Sequence, residues 1–165
     1  MFREMKKSRQ ALPEAEVYAV LERGSHGILA CLGDEGYPYA VPLNYVYWNG
    51  KIYVHSAKEG HKVDAIVNEP KVSFAVVDAD KILSDKYTSL FRSVIAFGKA
   101  RIVEGDERTR AFDAMVEKYS GDRPEEEKRK IVANCERAYI IAIDIEHVTG
   151  KEQSMLARAR ETGKL

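Results

Sequence analysis

The run His55-Ser56-Ala57-Lys58-Glu59-Gly60-His61-Lys62 is the densest collection of chemistry-bearing side chains in the sequence. It follows a strand-patterned segment and precedes a helical one, which sets it at a helix N-terminus, where unpaired N–H groups and a partial positive charge attract anions. Ser56 adds a hydroxyl, Gly60 lets the backbone approach a ligand closely, and Lys62 adds a full charge. Together these are the parts of a phosphate site. The same residues also make a plain strand-to-helix turn ending in a solvated lysine, and the stretch by itself does not choose between the two. His61 is placed to act as a general acid or as a donor to a ligand, and it reads equally as a surface or core histidine.

The remaining chemistry is sparse. His26, His55, His61 and His147 never fall at i, i+4, so no pair of metal ligands shares a helix face and no metal site is expected. Cys31 and Cys135 lie far apart without a CxxC spacing and are expected to be buried small apolar residues. There is no nucleophile elbow, Walker loop, dinucleotide fingerprint or serine or cysteine triad. Any redox or group-transfer activity would therefore need a borrowed cofactor. The aromatic residues Tyr37, Tyr39, Tyr45, Tyr47, Trp48 and Tyr53 could stack a planar ring, although strands use aromatic side chains for packing as a matter of course.

The elements that must position these residues follow from period and punctuation. Pro13 to Arg23 reads as a helix with Val17, Val20 and Leu21 inward and Gly24 at its end. Gly27–Leu32, Tyr39–Trp48 and Lys51–Ser56 read as three successive antiparallel strands, the last two joined by Asn49-Gly50, the strongest short hairpin signal. Pro42 cannot donate to a ladder, so the second strand must be an edge, carry a bulge, or meet a ligand in place of a neighbouring strand. A short helix over Gly60 to Asn68 stops before Pro70, and a strand follows at Val72–Val77. Asp78 to Thr88 reads as an irregular polar loop or flap, and Leu90 to Val103 as a long strand with a bulge or barrel corner at Gly98. Asp106–Tyr119 and Pro124–Arg137 are helical by period, the first with Phe112, Met115 and Val116 on one face. Ala138–Ile145 is a final, central strand, and the tail from Thr149 is helix-prone. This order predicts an α+β barrel and not the βαβ alternation of a Rossmann sheet.

Composition sets the frame. A chain of 165 residues is the size of one domain, here taken as 1–165, and 45% apolar with 32% charged residues is an ordinary globular balance. Lysine plus arginine and aspartate plus glutamate both number 26, so nucleic acid is not an expected partner. The charged opening Met1-Phe2-Arg3-Glu4-Met5-Lys6-Lys7 lacks the apolar core of a signal peptide, and no apolar run reaches the roughly 18 residues of a membrane span; a cytoplasmic protein without a membrane partner is expected.

Gly36-Tyr37-Pro38-Tyr39-Ala40-Val41-Pro42-Leu43-Asn44-Tyr45-Val46-Tyr47, then His55-Ser56-Ala57 and Gly60-His61-Lys62, then Phe91-Arg92-Ser93-Val94-Ile95-Ala96-Phe97-Gly98-Lys99-Ala100, strongly resemble the nitroimidazole-resistance (Nim) branch of the pyridoxamine 5′-phosphate oxidase-like flavoproteins. The likeness runs from Met1 to Glu152. It implies a mostly antiparallel FMN-binding split β-barrel with peripheral helices, working as a homodimer with two FMN clefts between subunits. By that resemblance the main chain of Val41, Pro42, Leu43 and Asn44 bonds the edge of the flavin ring. His55, Ser56, Ala57, Gly60, His61 and Lys62 lie at the ribityl phosphate end, and Ser93 and Val94 line the phosphate or ring from the long strand.

The resemblance further implies reduction of a nitro-aromatic or related small planar substrate; His61, read from its place at a helix start, is the candidate proton donor. The closing sequence Arg158-Ala159-Arg160-Glu161-Thr162-Gly163-Lys164-Leu165 lacks the Arg-Leu-x-Pro ending of pyridoxamine phosphate oxidases proper, so oxidation of vitamin B6 is not expected. A module of another class, the same barrel holding flavin or haem as a store or sensor without turnover, is the alternative expectation.

Overall fold

The chain passes from one edge of its sheet to the other within a single residue, Tyr45, and that passage organises the molecule. In the computed structural model, which describes residues 1–163 and leaves the side chain of Cys135 undescribed, seven strands form one antiparallel sheet. They are β1 (His26–Leu32), β2 (Pro38–Asn44), β3 (Val46–Trp48), β4 (Lys51–Ser56), β5 (Lys71–Leu83), β6 (Thr88–Val103) and β7 (Tyr139–Glu152). Their order is β2-β1-β5-β6-β7-β4-β3, so the two edge strands are neighbours in sequence. The sheet must curl until its edges meet, and it does so without closing: an α+β split barrel. Helices α1 (Glu14–Arg23), α2 (His61–Asn68), α3 (Gly105–Ser120), α4 (Glu125–Ala133) and α5 (Ser154–Thr162) surround it. None of them, among the described residues, is long and apolar enough to cross a membrane.

Local sequence explains most of the elements. Asn49 and Gly50 both take positive φ, 50° and 75°, the backbone that a two-residue hairpin between right-twisted strands needs. Gly98 falls where the β6–β7 register shifts, and a Cβ there would stand 2.2 Å from the carbonyl oxygen of Asp144. The bulge expected at Gly98 is thus required by close backbone approach. Pro42 sits on β2, an edge strand, paired with Ile28 on one side only.

Two cores result. Inside the barrel, Leu29, Tyr45, Ile52, Val54, Phe74, Val76, Val94, Ile141 and Ile143 pack with Val20 and Leu21 of α1 and Ile66 of α2. Outside it, Val46, Tyr53, Val103, Ile140 and Ala142 pack against Ala111 and Met115 of α3. Serving both layers leaves β7 buried on both faces at Ile140–Ile143, which is why that run reads as uniformly apolar.

Three expectations are corrected. The expected loop over Asp78–Thr88 is an extension of the β5–β6 hairpin, paired as far as Leu83↔Thr88. A two-stranded ribbon beyond the rest of the sheet has little core to face, so its sequence need not alternate. The single strand expected over Tyr39–Trp48 is divided at Tyr45 into β2 and β3. The last strand continues past Ile145 to Glu152, whose fully buried carboxylate is held by Arg92 and Arg160, and the terminal helix begins only at Ser154.

Candidate functional site

The β3–β4 ladder ends at Val46↔Tyr53. Continued in register, it would set Asn44 opposite His55 and Leu43 opposite Ser56, but β2 has turned away to pair with β1, His26↔Asn44 through Leu32↔Pro38. β2 and the end of β4 therefore diverge like the arms of a Y, close but unpaired, with Tyr45 at the fork. The alternating exposure along β2 turns Pro38, Ala40, Pro42 and Asn44 outward, while the side chains of Tyr39, Val41 and Leu43 pack inward. What β2 presents at its open edge is main chain.

The fork is held by the last turn of α3. The hydroxyl of Tyr119 accepts from the Tyr45 N–H at 3.0 Å, and its one proton serves the carbonyls of Tyr45, at 2.7 Å, and Ser25. The Tyr45 main-chain groups lost to the ladder are thereby satisfied, as buried backbone polar groups must be. The fully buried Tyr45 ring lies 4.3 Å beneath the Lys118 ammonium, its own hydroxyl donates to Leu21 O at 2.8 Å, and the same ammonium donates to Gly24 O at 2.6 Å. Burial holds the Lys118 ammonium below the usual lysine range, and burial pushes the Tyr45 phenol above the usual tyrosine range.

At the end of β4 the turn Ala57–Gly60 leads into α2. Gly60 is the helix cap, with φ 121° and nothing within 4 Å of where a Cβ would stand, and no side chain caps the helix. Val63 N and Asp64 N both donate to Gly60 O, which makes His61 and Lys62 the first two residues of an uncapped N-terminus. Lys62 is half-buried, and desolvation pulls its ammonium below the usual lysine range, with the thiol of Cys31, itself pushed up by burial, acting on it in the opposite sense. Among the described residues it has no carboxylate partner. A half-desolvated, unpaired cation beside free N–H groups is a site for an anion.

His61 is committed differently. Its ring lies 4.2 Å from that of Tyr39, and its Nε2 accepts from the Asp34 N–H at 3.3 Å. This ties the start of α2 to the β1–β2 turn, with the Asp34 carboxylate also 3.6 Å from Nε2.

The structure sets Val41–Asn44 on the free edge of β2, His55 and Ser56 at the end of β4, and Gly60–Lys62 at the start of α2, which His61 ties to the β1–β2 turn. Ser56 turns its side chain inward and is 5% exposed. Ser93 and Val94 lie elsewhere in the chain. Ser56 pairs with Tyr139, next to Ile140↔Val103, whereas Ser93 pairs with Lys151, ten residues back along β6 and roughly 30 Å away at the ordinary strand rise. Val94 is fully buried in the barrel. Of the aromatic cluster, Tyr45 and Tyr53 are core residues, and Tyr18 stacks on Tyr47.

Sequence reasoning did not find the residues that line the outer side of the fork. A cavity of about 450 Å³ is bounded by Asn44 and His55 from the two arms, Phe112, Met115, Val116 and Tyr119 from α3, and Asn134 and Arg137 from the end of α4 and the turn after it. Only the apolar stripe of α3 was readable, and a stripe at helical spacing signals core, not cavity.

Comparison with known proteins supports this architecture. The family model described as pyridoxamine 5′-phosphate oxidase matches residues 13–152. No curated protein sequence matches the chain. Similar solved structures include a conserved hypothetical protein from Mycobacterium tuberculosis, 23% identical over 90% of each chain with a TM-score of 0.77. Another is named as a candidate 5-nitroimidazole antibiotic resistance protein from Bacteroides thetaiotaomicron, 21% identical over 86% of each chain with a TM-score of 0.71. A third, an FAD-binding protein from Mesorhizobium loti, is 26% identical over 87% of this chain and 96% of its own, with a TM-score of 0.57.

Proposed function

The chain belongs to the pyridoxamine 5′-phosphate oxidase family, and on that premise we propose that it is a homodimeric FMN-binding oxidoreductase that reduces nitro-aromatic or related small planar compounds. One pair of features carries the reading: β2 is an edge strand paired only with β1, and α2 begins uncapped with a half-buried lysine. That donor set fits the two ends of the cofactor. Ser56, Ala57, Gly60, His61 and Lys62 would hold the ribityl phosphate, and the main chain of Val41–Asn44 would bond the ring edge, where Pro42 costs no pairing with another strand. When bound, FMN supplies the transfer of hydride or electrons to a planar acceptor. The protein's part is to place both and to keep a proton available, and His61 Nδ1, with Nε2 occupied by Asp34, is the atom we assign to it.

The second subunit is proposed from the outer face of the sheet. Pro42, Ile28, Ala75 and Ile95 form one cross-strand row, and Ile28, Ile95 and the nearby Val77 are 41%, 41% and 54% exposed. A contiguous apolar face of this kind marks an interface. A two-fold axis lying in that face and running across the strands would carry Ser93 of one protomer toward the phosphate end of the other, which accounts for its distance from that end within one chain.

The test is the visible absorption of the purified protein with an FMN titration of Lys62→Ala. Flavin bands are expected, with FMN affinity weakened by about 1–3 kcal/mol in the variant, the scale of a charge-assisted hydrogen bond. A colourless protein whose melting temperature ignores added FMN rejects the cofactor, and an unchanged affinity in the variant rejects the phosphate site. Haem bands, or a flavin that no nitro-aromatic reoxidises, would favour the store or sensor.

A further inference from the structure

The cavity outside the fork is walled mostly by apolar surface, with Phe112, Met115 and Val116 on one helix face, and several polar side chains share its lining. Of these, the Tyr119 hydroxyl is consumed by Tyr45 and Ser25, the Asn134 amide donates to Lys130 O, and the Asn44 amide donates to Ser25 O. His55 and Ser120 also line it, and Arg137 supplies its one permanent charge; among the described residues the Arg137 guanidinium has no hydrogen bond or ion pair. The arginines that hold the fold are all paired, Arg23 with Glu16 and Asp78, Arg92 with Asp78 and Glu152, Arg101 with Glu107 and Asp144. An unpaired guanidinium over an apolar cavity of about 450 Å³, within the size range of small-molecule sites, is a recognition element for an anion attached to an apolar body.

We propose that this cavity seats a flat apolar ring bearing one anionic group, the ring against Phe112, Met115 and Val116 and the anion on Arg137. Asn44 and His55 lie on the two arms of the fork and are also among the residues assigned to the flavin, so a ring in the cavity approaches the cofactor from the α3 side. This deepens the proposed function by naming the substrate class, an aromatic anion, and it rests on that reading only for the chemistry that follows binding.

The probe is 2-naphthoate, with 2-naphthalenemethanol as its uncharged counterpart, titrated calorimetrically into the full-length protein with and without FMN. The naphthoate is expected to bind both forms. Arg137→Gln should weaken it roughly ten- to a hundredfold, the value of a charge-assisted contact, while leaving the alcohol unchanged. Arg137→Lys should restore part of the loss, and Phe112→Ala should weaken both probes. FMN affinity, measured on the same samples, should not move in Arg137→Gln. Absence of naphthoate binding to the unmodified protein overturns the proposal, as does an Arg137→Gln variant that holds naphthoate as tightly or loses both probes equally. Naphthoate binding without flavin binding would keep the proposal and reject the cofactor reading, and the reverse result would reject the proposal alone.

Discussion

Tyr119→Phe removes one oxygen atom and keeps the ring, and that atom serves three main-chain groups. The Tyr45 N–H and C=O are 3.0 and 2.7 Å from it, and Ser25 O shares its proton. Tyr45 is fully buried, so its N–H and C=O become orphans when the hydroxyl goes, at about 1–3 kcal/mol for each unsatisfied buried group. Tyr119 itself is 38% exposed, which lets a water reach part of the vacated space and puts the total toward the lower end, about 2–3 kcal/mol. With a urea slope on the order of 1–3 kcal/mol/M, the unfolding midpoint should fall by about 1–2 M at unchanged slope. The assay is equilibrium urea unfolding of the two proteins, free of flavin, side by side. A loss below about 0.5 kcal/mol, the scatter of surface substitutions, would refute the claim that this hydroxyl closes the fork.

Gly98→Ala places a Cβ against the main-chain carbonyl of Asp144, which cannot move without separating β6 from β7, so its melting temperature should drop by about 6–12 °C, on the order of 3 kcal/mol; an unchanged melt would show that the bulge can relax. Asp78 accepts from Arg23 and Arg92, with Arg23 the larger influence, and this holds its carboxyl below the usual range. A depressed folded-state pKa adds stability that is present above the unfolded value near ~3.9 and is lost as pH falls through the folded one. Asp78→Asn should therefore be less stable at pH 7, with the gap to the parent protein narrowing below about pH 4; a gap independent of pH would remove the carboxylate from the explanation.

What was legible in the sequence and what was not divides along a physical line. Asn49-Gly50, Pro42, Gly98 and the start of α2 each declare themselves because one residue type meets one local demand: positive φ, a missing donor, absent Cβ volume, an apolar stripe stopped before a proline. The proposed anion site belongs to this class, since a helix N-terminus and its lysine are adjacent in the chain. The ribbon of β5 and β6 beyond the sheet was not legible because its residues face solvent and carry no period. The fork was not legible because Tyr45 resembles its neighbours, and its distinction lies in hydrogen bonds to Tyr119, 74 residues away. The cavity follows the same rule: Arg137 is notable only for where it stands, on an apolar cavity and without a hydrogen bond or ion pair among the described residues.

The fork also explains why an open barrel is stable here. A curled sheet with two unpaired edges is exposed to pairing with other chains, and closed barrels avoid the problem by having no edge. In this chain the edges are made by one continuous run, β2-Tyr45-β3, so they cannot be drawn together without unpairing β1 from β2 or β3 from β4. The gap is a consequence of connectivity, and its width is set by what stands at the fork. On one side that is a tyrosine ring buried in the barrel; on the other it is the last turn of α3. Loosening the α3 contact should therefore change how a ligand sits along β2 without touching any residue that contacts it, so Tyr119→Phe should alter flavin affinity as well as stability, and in the same direction.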